Sequence, residues 1–256
     1  MQLADTHCHL DFSQFDQLRS RLLSECQASS IELIVVPGVK RSGWGAILEL
    51  AREFGTVRPA LGLHPYFVSD HEASHLDDLA SSLARLGSEV CAVGEIGLDA
   101  TIGDIDRQIF FFEQQLGIAQ QFQRPVIIHS RKKHSQIVRA LKSYRLPGGV
   151  VHAFSGSLEE AESLISVGLV IGVGSVITWP RASKTRNAIS QLPLASLVLE
   201  TDSPDMPVCG QAKGGATPLN VLRVFDSLCE IRTETPDHLA ATLWENSQRL
   251  FCDQGL

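Results

Sequence analysis

Eight short apolar runs alternate with amphipathic segments along this chain of 256 residues. Strands that alternate with helices in this way indicate a parallel sheet, and the apolar character of the runs indicates that both faces of the sheet are buried. The length is close to the about 250 residues of a barrel of eight strand–helix units, although length alone also allows two small domains. No Gly-x-Gly-x-x-Gly motif follows the first run, which disfavours an open nucleotide-binding sheet. We therefore predict an α/β protein with a single (β/α)8 TIM-type barrel domain spanning residues 1–256.

The individual elements follow from hydrophobic periodicity along the chain. The first strand lies at the N-terminus and carries His7 and His9, and the other seven are predicted at 31–38, 57–65, 90–99, 125–130, 150–156, 169–174 and 196–202. Helices are predicted at 15–28, 44–54, 76–86, 106–122, 134–144, 157–167, 183–191, 218–229 and 236–251. No linker or low-complexity block divides them, so we expect one continuous unit.

Composition and charge narrow the classes of partner. The net charge is −7, from 29 acidic and 22 basic residues, so the chain lacks the broad basic surface that drives non-specific DNA binding. The N-terminal segment has no basic region followed by an apolar stretch, and no apolar run is long enough to cross a bilayer. The six cysteines are scattered without a Cys-x-x-Cys pair, which is typical of reduced thiols. We therefore expect a cytoplasmic protein with no membrane association and no obligate protein partner.

Polar side chains that can bind metal stand at the predicted ends of six strands. In barrels of this kind the active site lies at the C-terminal ends of the strands. These residues are His7, His9, His64, Glu95, His129, His152 and Asp202. Residues i and i+2 of a strand point to the same face, so His7 and His9 should project together and Cys8 should point away. Each residue alone is more often a hydrogen-bonded structural group, but together at one end of a barrel they favour a metal site.

The ligand chemistry favours two divalent ions. Histidines with carboxylates and without cysteine suit zinc, manganese or a similar divalent ion. We expect the ions to be Zn, Mn or Mg. The set exceeds the three protein ligands usual for one catalytic zinc. Two ions about 3.5–4 Å apart can activate a water and stabilise a leaving oxygen at phosphorus. Glu95, on a middle strand, can offer one oxygen to each ion and is the predicted bridge.

A group of cations follows the fifth and seventh strands. Arg131, Lys132 and Lys133 come after His129, and Arg181 and Lys184 come after the seventh strand. Loops near the last strands of such barrels often hold phosphate, and positive charge at a helix N-terminus is unfavourable for the helix dipole. Ordinary solvated charges at helix starts remain the alternative. We predict Arg131, Arg181 and Lys184 as substrate-binding residues for a phosphate chain.

Several motifs, in this order, resemble those of the TatD-type metal-dependent hydrolases of the amidohydrolase-like superfamily. They are Asp5-Thr6-His7-Cys8-His9-Leu10-Asp11, Gly62-Leu63-His64-Pro65, Gly94-Glu95-Ile96-Gly97-Leu98-Asp99, His129-Ser130-Arg131, His152-Ala153-Phe154-Ser155-Gly156 and Glu200-Thr201-Asp202-Ser203-Pro204. Within the family, the chain is most similar to a bacterial subgroup described only as metal-dependent hydrolases.

The resemblance implies a role for each of these residues. One metal would be bound by His7, His9 and Asp202, a second by His129 and His152, and Glu95 would bridge the two. His64 would line the substrate side rather than bind metal. Asp202 and Glu95 are the predicted catalytic residues.

The implied activity is hydrolysis of ester bonds. Family members are described as deoxyribonucleases or phosphodiesterases, so we expect a phosphodiesterase that acts on DNA ends or single strands with a metal-activated water. Two departures at the mouth weaken the case for DNA, because this chain has Ala100 where many relatives have an aromatic residue, and Ala216-Thr217-Pro218 where many have Asn-x-Pro. The alternatives are a metal-dependent hydrolase of a small carboxylic ester or amide, and a binding protein without turnover.

Overall fold

Eight parallel strands form a sheet in the order β1 to β8 in the computed structural model, which describes residues 1–252. Residues 253–256 of the expected domain lie outside the described residues. The strands are β1 (Leu3–Asp5), β2 (Ile31–Pro37), β3 (Val57–Leu61), β4 (Ala92–Asp99), β5 (Val126–Arg131), β6 (Gly149–Val151), β7 (Leu169–Val173) and β8 (Leu197–Leu199). Each strand of this order pairs in parallel with the next along the chain.

The first and last strands also meet, so the sheet forms a barrel. The backbone N–H of Thr6 donates to the carbonyl of Leu199 over 2.9 Å, and the Thr6 hydroxyl donates to the same carbonyl over 2.8 Å. Just beyond them, Cys8 and Ser203 form a parallel bridge. The predicted α/β TIM-type barrel is confirmed.

Helices separate successive strands, and two helices close the chain. They are α1 (Arg19–Ala28), α2 (Trp44–Glu53), α3 (Ala73–Leu86), α4 (Ile105–Gln121), α5 (His134–Leu141), α6 (Leu158–Ile165), α7 (Ser183–Gln191), α8 (Asn220–Ile231) and α9 (Pro236–Phe251). Side-chain hydrogen bonds determine where some helices begin. At the start of α6 the Ser157 hydroxyl accepts from the Glu160 N–H, and the Glu160 carboxylate accepts from the Ser157 N–H. This pair of bonds is a capping box. Between residues 1 and 252, no helix has the length and apolar character needed to span a bilayer.

Side-chain alternation along the strands divides the apolar core into two layers. Leu33 and Val35 of β2 pack in a cluster with residues of six other strands, whereas Ile34 and Val36 belong to the larger cluster shared with the helices. Successive strand residues point to opposite faces, so the smaller cluster fills the barrel and the larger one joins barrel to helices. Both faces of the sheet are therefore buried, as predicted.

Four strands end several residues earlier than predicted, among them β6, which ends at Val151 before His152, and this moves most of the candidate ligands onto the segments that follow the strands. β1 ends at Asp5, β3 at Leu61 and β8 at Leu199. The segment that follows β1 is still hydrogen-bonded to the segment that follows β8. The N–H of Asp202 donates to the carbonyl of His7, and the N–H of His9 donates to the carbonyl of Ser203, both over 2.8 Å. These cross-links replace a regular ladder, so the segments remain fixed although they are not strands.

Candidate metal centre

Seven side chains converge at the C-terminal end of the barrel, and we call them the histidine–carboxylate cluster. They are His7, His9, His64, Glu95, His129, His152 and Asp202, the residues predicted from the strand ends. Most are almost completely buried, and His129 and Asp202 keep 18% and 16% of their side chains exposed. A polar group this deep in a protein needs partners, so the partners of each member define the site.

Glu95 lies at the centre of the cluster, and its two oxygens face different histidines. Oε2 is 3.2 Å from Nε2 of His7 and 3.5 Å from Nε2 of His9. Oε1 lies within 3.1 Å of one ring nitrogen of each of His64, His129 and His152. The carboxylate thus separates two sets of imidazoles, which is the placement required of a shared ligand.

Asp202 faces the first of these sets. Its Oδ1 is 3.6 Å from Nε2 of His7 and 3.6 Å from Nε2 of His9. The residue has a positive φ of 52°, a left-handed conformation that costs energy in most residues other than glycine and that aspartate tolerates better than most. Backbone strain at a candidate site is typical of a functional position.

The donor atoms fit divalent metal ions. Nε2 of His7 and Nε2 of His9 are 3.3 Å apart, and Nδ1 of His129 and Nε2 of His152 are 3.1 Å apart. Ring nitrogens this close must either share a proton or converge on a cation. Three candidate groups place all their ligand atoms within 4.8 Å of one another: His7 with His9 and Glu95, His7 with His152 and Asp202, and His64 with Glu95 and His129. Imidazole and carboxylate ligands suit zinc and related ions.

Two contacts within the cluster involve residues to which the resemblance gives different roles. His7 stacks on His152 with ring centroids 4.0 Å apart, so these two rings are neighbours although they were expected to serve different ions. His64 was expected on the substrate side, yet its Nε2 is 2.8 Å from Oε1 of Glu95. The structure therefore brings His64 into the cluster itself.

Charges within the cluster shift the pKa values of its members. Burial would lower the pKa of His9, but the hydrogen bond and the charge of Glu95 raise it to about 9. Burial would also lower the pKa of His152, but the charge and the hydrogen bond of Glu95 raise it to about 10. Burial also opposes ionisation of Glu95, yet the surrounding histidines hold its pKa well below the usual value. Metal ligation needs neutral imidazoles, so an ion that binds here displaces protons.

Asp99, which ends β4, is a functional residue that the sequence analysis quoted but did not assign. Its Oδ2 is 3.1 Å from Nε2 of His129, while the other ring nitrogen of His129 points to Glu95. A carboxylate on the far nitrogen fixes the orientation and tautomer of a metal-binding histidine. Asp99 stands at a strand end like the predicted ligands, so the same criterion could have identified it.

Two glutamines of α4 hold the segments that carry cluster residues, and the sequence analysis assigned a role to neither. Gln108 accepts from the N–H of Asp99 over 2.9 Å and donates to its carbonyl over 3.2 Å. Gln115 does the same for Leu63, over 2.8 and 3.2 Å, and Leu63 precedes His64. The two glutamines are seven residues apart, which places them on one face of the helix.

A further buried carboxylate supports the segment after β6. Glu200 accepts a hydrogen bond from the N–H of Ala153, which follows His152. A Cβ on Gly172 would come within 2.5 Å of Glu200 Oε2, so the close approach of Glu200 requires glycine at this position. Burial raises the pKa of Glu200 to about 7.

The cluster forms the floor of a cavity of about 1190 Å³. Arg131, Lys132, Lys133 and Lys184 line it, and we call these four residues the mouth cations. In the part of the chain that the structure describes, Arg131, Lys132 and Lys133 form no ion pair, whereas Nζ of Lys184 lies 3.2 Å from Glu160. Arg181 stands instead over the ring of Trp179, 4.6 Å from its centroid, outside the lining. Three of the four mouth cations are therefore available to an anion.

Comparisons with known proteins identify the family of this chain. The profile of the TatD related DNase family matches residues 4–252. The chain is 43% identical over 250 residues to uncharacterized metal-dependent hydrolase YjjV of Escherichia coli (strain K12), covering 96% of each. The crystal structure of the YjjV TatD homolog from E. coli K12 superposes with a TM-score of 0.93 over 97% of both chains, at 43% identity. Identity to the 3′-5′ ssDNA/RNA exonuclease TatD of Citrobacter koseri is 29% over 256 residues, which is 96% of this chain and 98% of that one.

Proposed function

This chain belongs to the TatD family of metal-dependent hydrolases, and we propose that it hydrolyses phosphodiester bonds at DNA ends or in single strands. The proposal includes two divalent ions, Zn, Mn or Mg, held by the histidine–carboxylate cluster. The observation that carries it is the central position of Glu95, whose two oxygens face separate sets of imidazoles. That arrangement suits a pair of ions better than a single one.

The cluster residues would hold the ions in two sets that share Glu95. One set comprises His7, His9 and Asp202, and the other comprises His129 and His152. When bound, the ions would polarise the phosphoester and lower the pKa of the attacking water. Asp99 keeps Nδ1 of His129 turned toward Glu95 by accepting from the opposite nitrogen.

Asp202 is the proposed proton acceptor. Its carboxylate lines the cavity and lies beside Nε2 of His7 and of His9. A carboxylate within hydrogen-bond reach of a bound water can take its proton. His64 also lines the cavity, and contact with the substrate beside Glu95 is its proposed role.

The mouth cations favour a substrate with more than one phosphate. The whole chain is acidic, with a net charge of −7, yet Arg131, Lys132 and Lys133 stand together at the cavity without acidic partners among residues 1–252. A local cationic wall of this kind concentrates a phosphate chain at the site. The name of the C. koseri relative, an exonuclease of single-stranded DNA and RNA, is consistent with that substrate.

A substrate panel tests the proposed function. Protein reconstituted separately with Zn, Mn or Mg is assayed on a single-stranded oligodeoxynucleotide, a bis-aryl phosphodiester and a simple carboxylic ester. We expect turnover of the two phosphodiesters, loss on chelation and recovery when metal is restored. Turnover of the carboxylic ester alone would support the alternative hydrolase of small molecules and refute the proposal. No turnover of any substrate with any ion would favour a binding protein.

Removing a mouth cation should weaken binding of long substrates only. For Arg131→Ala we expect a severalfold higher KM for the oligonucleotide with little change for the bis-aryl diester, because the small substrate has no trailing phosphate. The slope of log KM against log salt should fall by about 0.7, the value for one phosphate contact on a single strand. Lys184→Ala should have a smaller effect, because Glu160 already pairs with Lys184. Steady-state kinetics at several salt concentrations measure both quantities.

Lys142→Ala is the matched control for the cation variants. Lys142 follows the C-terminal end of α5, outside the cavity lining, so its removal changes net charge equally without touching the mouth. Equal losses on oligonucleotide and bis-aryl diester in Arg131→Ala would mean that this residue supports the metal centre and not the phosphate chain.

A further inference from the structure

We propose that Tyr66 and Phe67 form a stacking surface for an unpaired nucleobase beside the metal centre. This inference rests on the proposed function and adds how the bases of the substrate are held. Both residues lie in the 3-10 helix Pro65–Asp70, which directly follows His64, and both line the cavity. A base that stacks there would keep its own phosphate close to the histidine–carboxylate cluster.

The exposure of Tyr66 is the first observation. Its side chain is 58% exposed, although tyrosine usually buries most of its ring. In residues 1–252 the other large apolar side chains with strong exposure are Met1, Leu18 and Phe110, and none of these lines the cavity. The exposed ring at the cavity is therefore placed where a flat ligand can cover it.

The stacking surface is held rigidly from beneath. The N–H of Tyr66 donates to Nδ1 of His64 over 2.9 Å. Arg107 of α4 donates through Nε to the carbonyl of Val68 over 3.1 Å and through its second nitrogen to the carbonyl of His71. The backbone that carries the two rings is thus fastened to the metal centre on one side and to a helix on the other. A preorganised surface loses little entropy when it binds a ligand.

The second ring of the surface is fixed by its neighbours. The rings of Tyr66 and Phe67 meet edge to face, with centroids 5.1 Å apart. Nζ of Lys40 lies 4.2 Å from the centroid of Phe67 and is itself paired with Asp70 over 2.9 Å. One face of Phe67 is therefore covered and the residue is half-buried, so the more exposed ring of Tyr66 is the main contact for an incoming base and Phe67 supports it.

The mouth cations lie where they could bind the phosphates of a nucleotide whose base stacks on Tyr66. β3, β4 and β5 are consecutive in the barrel, so the aromatic segment after β3 and the cations Arg131–Lys133 after β5 stand on either side of β4, which carries Glu95. A nucleotide offers a flat base on one side of its phosphate and further phosphates on the other. The cavity therefore presents the two chemistries in the order in which a single strand would meet them.

Stacking of this kind requires a base that is unpaired but not of a particular sequence. Every base has a π-face, so stacking on an aromatic side chain tolerates any sequence. Bases within a duplex already have both faces covered by their neighbours. The surface would therefore select single strands or frayed ends over intact duplex.

Binding to intact and abasic hexamers tests the inference without requiring turnover. Two fluorescent single-stranded hexamers with hydrolysis-resistant phosphorothioate linkages are compared, one with all bases and one that is abasic throughout, by anisotropy with the purified protein. The wild type should bind the intact hexamer about 5- to 150-fold more tightly, the range expected for stacking on one aromatic ring. Tyr66→Ala should lose this preference, and Tyr66→Phe should keep it because the ring remains.

Phe110→Ala is the matched control, since it removes an exposed aromatic ring outside the cavity lining and should leave the preference unchanged. Equal binding of the two hexamers by the wild type, or an equal loss for both in Tyr66→Ala, would overturn the stacking surface while leaving the proposed function intact. Failure of the wild type to bind either hexamer would refute both the stacking surface and a nucleic-acid substrate.

Discussion

Asp202→Asn is expected to reduce kcat by about 10²- to 10⁴-fold on every substrate that the protein hydrolyses, the range that general-base catalysis contributes. The substitution keeps the size of the side chain, and asparagine tolerates the positive φ of 52° at this position as aspartate does. What changes is the carboxylate charge beside Nε2 of His7 and of His9. An amide can neither accept the proton of the attacking water nor balance the charge of an ion. Steady-state kinetics on the oligonucleotide and the bis-aryl diester measure the loss.

Asp205→Asn is the control for that variant. Asp205 lies three residues further along the same segment and also lines the cavity, but in the described residues its carboxylate has no direct contact with the histidine–carboxylate cluster. It should retain nearly full activity. If Asp202→Asn were to lose activity on the oligonucleotide and keep it on the small diester, Asp202 would be a substrate-positioning residue and the assigned proton acceptor would be wrong.

The barrel and the convergence of the cluster could be predicted because both follow from simple geometry. Parallel strands end at one edge of a sheet, so His129 near the end of β5 and His152 directly after β6 had to approach one another once the alternation of strands and helices was recognised. Apolar periodicity was enough for that recognition. His7 and His9 also meet as predicted, although they lie beyond β1.

The features of the site that could not be predicted depend on the conformations of loops and of long side chains. Arg181 is close in sequence to Lys184, but its guanidinium stands over Trp179, and no sequence pattern distinguishes that contact from one with a phosphate. Gln108 and Gln115 are buried polar residues on α4, and a pattern of apolar positions cannot show that their amides bond to the backbone beside Asp99 and His64. Side-chain rotamers, rather than spacing, decide these contacts.

Glu95→Gln is expected to remove metal from both sites at once. The variant keeps the shape of the side chain, but the amide offers one oxygen and places an NH₂ group toward histidine nitrogens that now face Oε1 or Oε2 over 2.7–3.5 Å. The loss in metal affinity should exceed the about 10- to 100-fold typical of losing an outer partner of a ligand. Elemental analysis after dialysis against a fixed free metal concentration gives the content per chain, and we expect up to two ions in the wild type and close to none in the variant.

Two further variants separate the shared carboxylate from its surroundings. Glu160→Gln removes a carboxylate that lines the same cavity but contacts His134 and Lys184, so it should retain the wild-type metal content. Within the cluster Asp99→Asn alters a partner of His129 alone, while the other oxygen of Asp99 accepts from Thr101, so the loss should be confined to one ion. We therefore expect three different results. Glu95→Gln, which removes a shared ligand, should lose both ions, and Asp99→Asn, which alters the partner of a ligand, should lose one. Glu160→Gln, which leaves the ligands untouched, should lose none. Wild-type metal content in Glu95→Gln would rule out Glu95 as the bridging carboxylate, because its two oxygens are the atoms that face the two sets of histidines.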